Sequence, residues 1–151
     1  MSELKSKLQS DLNDAIKSRN TVVAETIRMV LAAITNEEVA GKEKKELSDA
    51  EVITVLTREA KKRREAAEAF EQGGRADKAS AERAEGEVIA GYLPEQLSEA
   101  EINNLISETI AAVGASGPSD MGKVMGALKA KVAGKADGAL VSSLVKAALN
   151  K

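Results

Sequence analysis

Apolar positions along this chain recur every three or four residues and nowhere alternate over a run, which predicts helices throughout and no strand. Leu4, Leu8, Leu12 and Ile16 space a first helix over residues 2–18. Asn20 is placed to cap a second helix, whose Val23, Ile27, Val30, Leu31 and Ile34 face a core, with Gly41 positioned to end it. A lysine- and glutamate-rich loop over 42–46 is polar enough to be mobile. Ser48-Asp49-Ala50-Glu51 then forms a capping box: the serine hydroxyl accepts from the third helical N–H and the glutamate reaches back. The third helix runs long, through Val52, Ile53, Leu56, Ala60, Ala67 and Phe70, to a stop at Gly73-Gly74. A fourth follows Arg75-Ala76-Asp77, with Ala81, Glu85, Val88 and Ile89 on one side, and ends near Gly91.

Tyr92-Leu93-Pro94-Glu95-Gln96-Leu97 breaks the pattern, because proline removes a backbone donor and disfavours helix at Leu93. Ser98-Glu99-Ala100-Glu101 repeats the capping box and opens a fifth helix carrying Ile102, Leu105, Ile106, Ile110 and Val113, stopped by Gly114. Gly117-Pro118-Ser119-Asp120 starts the sixth, with Asp120 as its cap. Asp137 caps the seventh, in which Leu140, Val141, Leu144, Val145 and Leu149 face inward. The expected architecture is all-α: a long-helix N-terminal domain of about four helices over 1–93, then a compact three-helix C-terminal domain over 94–151.

The sixth helix carries a second pattern. Met121, Val124, Met125, Leu128 and Val132 form its apolar stripe, while Gly122, Gly126, Ala130 and Ala133 fall on a separate, nearly bare face between Lys129 and Lys123. A glycine inside a helix costs about 1 kcal/mol relative to alanine, so two on one face need a reason. One reason is close approach of another helix. The other is close approach of a sugar-phosphate backbone, met by the flanking lysines.

Composition narrows the chemistry. The 151 residues are 43% hydrophobic and 30% charged, enough to bury a core. Phe70 and Tyr92 are the only aromatic residues, which argues against binding single strands by base stacking and leaves docking to phosphates or to a folded RNA's shape open. The absence of cysteine and histidine removes thiolate nucleophiles, disulfides, the usual zinc sites and the ordinary neutral-pH proton shuttle, so no metal and no cofactor is expected. The longest apolar run, over 29–34, is far too short for a membrane span, and no secretory pattern follows Met1; a cytoplasmic protein without membrane association is the expectation.

Net charge is −2, but it is unevenly spread. Glu95, Glu99, Glu101 and Glu108 make the segment over 93–117 purely acidic. Lys123, Lys129, Lys131, Lys135, Lys146 and Lys151 outnumber Asp120 and Asp137 after it. The basic run over 58–64 scatters its charges around the third helix, where Lys61–Glu65 and Arg64–Glu68 are spaced to pair, so it reads as a solvated face. Arg63 is different: it falls within the apolar stripe and is expected to meet a carboxylate on another helix.

Met121-Gly122-Lys123-Val124-Met125, with Gly134-Lys135-Ala136-Asp137 running into Leu140-Val141, resembles the tail of the B subunit of the glutamine-dependent aspartyl/glutamyl-tRNA amidotransferase (GatB). Phe70-Glu71 with Gly74-Arg75, then Tyr92-Leu93-Pro94-Glu95-Gln96-Leu97-Ser98, then that tail, make the whole chain similar to the stand-alone YqeY proteins. In the amidotransferase the corresponding tail is a mobile helical domain that helps recognise tRNA by shape. The activation and ammonia-releasing sites lie elsewhere, and no segment here matches them. The resemblance therefore implies an accessory protein bound to tRNA or to a tRNA-linked complex, without its own catalytic residues. Gly122, Lys123, Gly126, Lys129, Lys131 and Lys135 would form the nucleic-acid contact. One alternative is a protein-interaction adaptor using the same C-terminal helices. Another is carbon–nitrogen ligase or amidase-like activity, with glutamine as amido donor, inside a complex. Ser142, Ser143 and Lys146 have the residue types of a Ser/Lys amidase but lie on a surface helix without a tight glycine-rich turn.

Overall fold

Side-chain caps set most of the helix starts in the computed structural model, which describes residues 2–150. Helix α1 (Glu3–Lys17) begins where the Ser2 hydroxyl accepts from the Lys5 amide at 3.0 Å. Helix α2 (Thr21–Glu38) begins where Asn20 accepts from Val23. Helices α3 (Asp49–Gln72) and α5 (Glu99–Val113) each open on a complete capping box, Ser48 with Glu51 and Ser98 with Glu101. Helix α4 (Ala76–Ala90) follows the Gly73-Gly74 turn. A 3-10 turn (Pro118–Asp120) leads into α6 (Met121–Val132), and α7 (Gly138–Leu149) starts at Asp137, whose carboxylate accepts from the Ala139 amide. The fold is all-helical, with no strand among the described residues.

The chain divides into two compact units, Met1–Leu93 and Pro94–Lys151. In the N-terminal unit, α1, α2, the first half of α3 and the end of α4 enclose Leu8, Ile27, Val30, Ile34, Val52, Val55, Leu56 and Ile89. Tyr92 closes this core: its hydroxyl donates to Asp11 on α1 at 2.5 Å, and Lys7 lies 5.2 Å from its ring centre while binding the same carboxylate. Burial and the Asp11 hydrogen bond push the Tyr92 phenol well above its usual range, so it remains a donor at any physiological pH.

Farther along, α3 and α4 pack along each other through small residues, Ala67 and Ala79 being fully buried. Arg63 reaches from α3 to α4 as the sequence pattern implies. Its guanidinium lies 3.6 Å from Glu82 and 3.4 Å from Glu85 on α4, 3.6 Å from Glu59 on its own helix, and 3.0 Å from the Met29 sulfur on α2. Gly86 lies against this crossing, where a Cβ would make an ordinary contact with the Arg63 Cβ at 3.7 Å. Lys61 and Glu65 pair at 4.0 Å on the solvated side.

Four local expectations need correcting. Ile16 does not continue the α1 stripe: it is 47% exposed, and Ala15 is buried instead. A repeat of four overshoots the helical turn by about 40° each time, so three steps carry Ile16 about 120° from Leu4. On α4, Ala79 rather than Ala81 faces α3, since Ala81 is exposed. Leu140 is 38% exposed rather than inward-facing. Helix α2 stops at Glu38, before Gly41, because the loop after it is tied back: the Lys45 amide donates to the Glu38 carbonyl and its ammonium pairs with Glu51 at 2.8 Å.

The α1–α2 corner is a Schellman turn. The Asn20 amide donates to the Ala15 carbonyl and the Arg19 amide to that of Ile16, which places Arg19 at φ 57°, a left-handed position usually held by glycine. An arginine there costs about 1 kcal/mol.

The C-terminal unit is a three-helix bundle around Ile102, Ile106, Val124, Leu128, Val132, Val141, Val145 and Leu149. Its loops are held by polar contacts to backbone. The Leu97 amide donates to the Lys135 carbonyl at 2.9 Å, and the Gln96 side chain donates to the carbonyls of Pro94 and Gly134, each at 2.8 Å.

Candidate nucleic-acid interface

The apolar stripe of α6 is buried or half-buried as its spacing implies, which turns the opposite face to solvent. Gly122, Gly126, Ala130 and Ala133 are all exposed on that face. A Cβ built on Gly122 or Gly126 meets no atom within 4 Å, so α5 and α7 do not pack closely on these glycines. What the two glycines provide is a shallow, side-chain-free strip.

The six sequence-derived site residues are not equivalent in this geometry. At about 100° per residue, Lys129 lies beside Gly122 at one edge of the strip and Lys123 beside Ala130 at the other. Lys131 falls about 160° from Lys129, on the far flank of the helix. Lys135 sits in the turn between α6 and α7, after Gly134 at φ 72°. That turn is fixed by the Gln96 and Leu97 contacts, so Lys135 projects from a defined backbone. Gln96 stands in the Tyr92–Leu97 segment that breaks the helical pattern, but nothing local in the sequence points to its partner 38 residues away.

Many cations of the N-terminal unit are paired, although among the described residues Arg19 and Arg28 are not. Lys5, Lys7, Lys45, Arg58, Lys62, Arg63, Arg75 and Arg83 of the N-terminal unit each lie within 4.0 Å of a carboxylate. Among the described residues, Lys123, Lys129, Lys131 and Lys135 make no ion pair and all four are exposed. Both helix starts nearby already hold a carboxylate. Asp137 caps α7. Asp120 stands at the start of α6 but, contrary to expectation, makes no capping bond to it; it accepts instead from the Ser116 amide at 2.9 Å and hydroxyl at 3.4 Å. Those Ser116 amide bonds first, with the Lys123 charge contributing, hold the Asp120 carboxyl below its usual range. A phosphate would therefore be met here by lysine ammonium groups and not by helix N-termini.

Ser142, Ser143 and Lys146 lie along α7 with Lys146 exposed, so its ammonium lacks the burial that a neutral catalytic base needs. Among the described residues, no group of three or more His, Cys, Asp or Glu side chains is placed to hold a metal ion. Again among those residues, no helix is long and apolar enough to cross a membrane.

Fold and surface together define an all-helical protein of two helical units, the second presenting unpaired lysines around a bare helix face. Residues 5–149 match the YqeY-like protein family, and the chain belongs to it. It is 29% identical over 133 residues to altered inheritance of mitochondria protein 41, mitochondrial, of Pyrenophora tritici-repentis, covering 86% of this chain and 71% of that one. It is 34% identical over 96 residues to an uncharacterised protein of Schizosaccharomyces pombe, covering 63% and 76% of the two chains. A protein of Clavispora lusitaniae with the same name as the first is 36% identical over 90 residues, 60% of this chain and 51% of its own.

Proposed function

We propose that the C-terminal unit is an RNA-contact module, directed to tRNA or a tRNA-linked complex, and that the protein acts as an accessory factor without a catalytic site of its own. One observation carries the reading: among the described residues the lysines around the open Gly122/Gly126 face form no ion pair, whereas Lys5, Arg58, Arg63 and Arg83 of the N-terminal unit are each paired. Exposed ammonium groups outside any ion pair can each neutralise a phosphate and release its counterion. A strip without side chains lets a ribose-phosphate backbone lie close to the helix. Resemblance of this tail to that of the tRNA amidotransferase B subunit supports tRNA as the RNA.

Titration with bulk tRNA and with a DNA duplex of equal charge, at about 50 and 200 mM salt, tests it. Salt-sensitive binding that prefers tRNA is expected. The Lys123/Lys129/Lys135 triple alanine variant should bind at least about tenfold more weakly, with a salt slope shallower by about two. Lys131→Ala should have the smallest effect of the four, because Lys131 lies off the strip. Equal weak binding by wild type and triple variant overturns the proposal, and the α6–α7 surface is then a protein-docking face.

The glycines give a second, independent check. Because both positions are open, Gly126→Ala should stabilise α6 by about 1 kcal/mol. The same change should weaken tRNA binding, by filling the strip. Thermal unfolding and the tRNA titration read the two effects with opposite sign, and an alanine that stabilises without weakening binding removes the glycine face from the interface.

A further inference from the structure

At the α1–α2 corner a cleft of about 250 Å³ is lined by Ile16, Arg19, Thr21, Ala24, Glu25 and Arg28 among others. Arg58, Arg63, Arg75 and Arg83 each bind a carboxylate, whereas Arg19 and Arg28 make no ion pair or side-chain hydrogen bond among the described residues. The Schellman turn is the reason Arg19 reaches this cleft at all, since the position favours glycine. Two unpaired guanidinium groups in one depression suit a phosphate, which each can bind through two parallel N–H donors. Glu25 shares the cleft and would repel a bare anion, but its carboxylate accepts hydrogen bonds from hydroxyl groups. Ile16 and Ala24 supply an apolar wall against which the C–H face of a sugar can rest. The volume is below the range of sites for drug-sized ligands, and suits a phosphate with one attached sugar.

We propose that this cleft binds a ribose phosphate, its phosphate on Arg19 and Arg28 and a ribose hydroxyl on Glu25. The ligand chemistry is shared by a free nucleotide and by a nucleotide within an RNA strand. The site lies wholly in the N-terminal unit and does not rest on the lysines of α6.

Titration of the full-length protein with ribose 5-phosphate, inorganic phosphate and a short oligouridylate, followed by NMR on backbone amides and arginine side-chain N–H groups, tests the proposal. Saturable shifts confined to the α1–α2 corner are expected, with ribose 5-phosphate at least tenfold tighter than inorganic phosphate. Arg28→Ala and Arg19→Gly should each weaken ribose 5-phosphate binding at least tenfold. Arg19→Gly also relieves the left-handed backbone and should raise the melting temperature by about 3 °C, so lost binding cannot be attributed to unfolding. Glu25→Ala should tighten inorganic phosphate and erase the preference for the sugar phosphate. Tighter binding of oligouridylate than of ribose 5-phosphate at these residues identifies the source as RNA, and weaker binding identifies it as a free nucleotide. Absence of saturable shifts with both ribose 5-phosphate and oligouridylate overturns the proposal, as does unchanged affinity in both arginine variants. A sugar preference that survives Glu25→Ala removes the hydroxyl contact and overturns it as stated.

Discussion

Arg63→Met is expected to destabilise the N-terminal unit by about 3 kcal/mol, the scale for removing one member of a buried ion network. Methionine keeps most of the aliphatic stem against α4 and Met29 while deleting the charge, so the loss reports electrostatics more than a cavity. The arginine side chain is 18% exposed and lies among Glu59, Glu82 and Glu85, with Lys62 also 3.3 Å from Glu59. Without it, three carboxylates remain between α3 and α4 facing one another. The network is already imperfect: Arg63 Nε and Glu82 Oε2 are buried without a hydrogen-bond partner, 3.6 Å apart. Its worth therefore lies in charge balance between the two helices. Removing the excess charge in the methionine background, with Glu82→Gln and Glu85→Gln, should return about half of the loss. Urea unfolding measures the change in midpoint, and hydrogen exchange should show lost protection in α3 and α4 first. A loss below about 0.5 kcal/mol would leave the network no structural role.

What the sequence made legible follows from how local each interaction is. Ser48 with Glu51 and Ser98 with Glu101 complete their caps within three residues, so both helix starts were readable. Arg63 was readable because a charge stood in an apolar stripe. Phase errors appeared where the pattern was weak. Ile16 followed a repeat of four that drifts around the helix, and α4 offers chiefly alanines to phase it. Interactions distant in sequence left no trace: Tyr92 meets Asp11 from 81 residues away, and Lys5 meets Glu38 from 33. At the α6 surface, the periodicity gave the glycine strip and its two flanking lysines, but not whether a neighbour covered it. That depends on packing within the C-terminal unit, where α5 and α7 leave the space around Gly122 and Gly126 open. The cleft at Arg19 was invisible for a related reason, because residues of α1, the turn and α2 line it together only once the two helices fold back on each other.

Glu38→Gln is expected to destabilise the N-terminal unit by about 3 kcal/mol near neutral pH, and by progressively less as the solution is acidified. Glu38 is only 3% exposed at the end of α2, where its carboxylate binds the Lys5 ammonium at 2.7 Å and accepts from the Leu47 amide at 3.3 Å. Those two bonds join α1, α2 and the returning loop, and Leu47 itself is part of the core. Glutamine conserves shape but withdraws the charge and leaves the half-buried Lys5 ammonium without its partner. The pH dependence follows from the direction of the shift. The Lys5 hydrogen bond holds the Glu38 carboxyl below its usual 4.5, against the opposing effect of burial. A carboxylate with a depressed folded-state pKa stabilises fully above its unfolded value and loses that contribution as pH falls through the folded one. The wild type therefore loses this increment below about pH 4.5, while the glutamine variant has none to lose. Asp11 and Glu51 titrate in the same direction but are present in both proteins and cancel in the difference. The stability gap between the two proteins, read from urea unfolding, should accordingly narrow between pH 7 and about 3.5, by up to about 1.4 kcal/mol. A gap that stays constant over that range would assign the loss to packing of the side chain and remove its charge from the account.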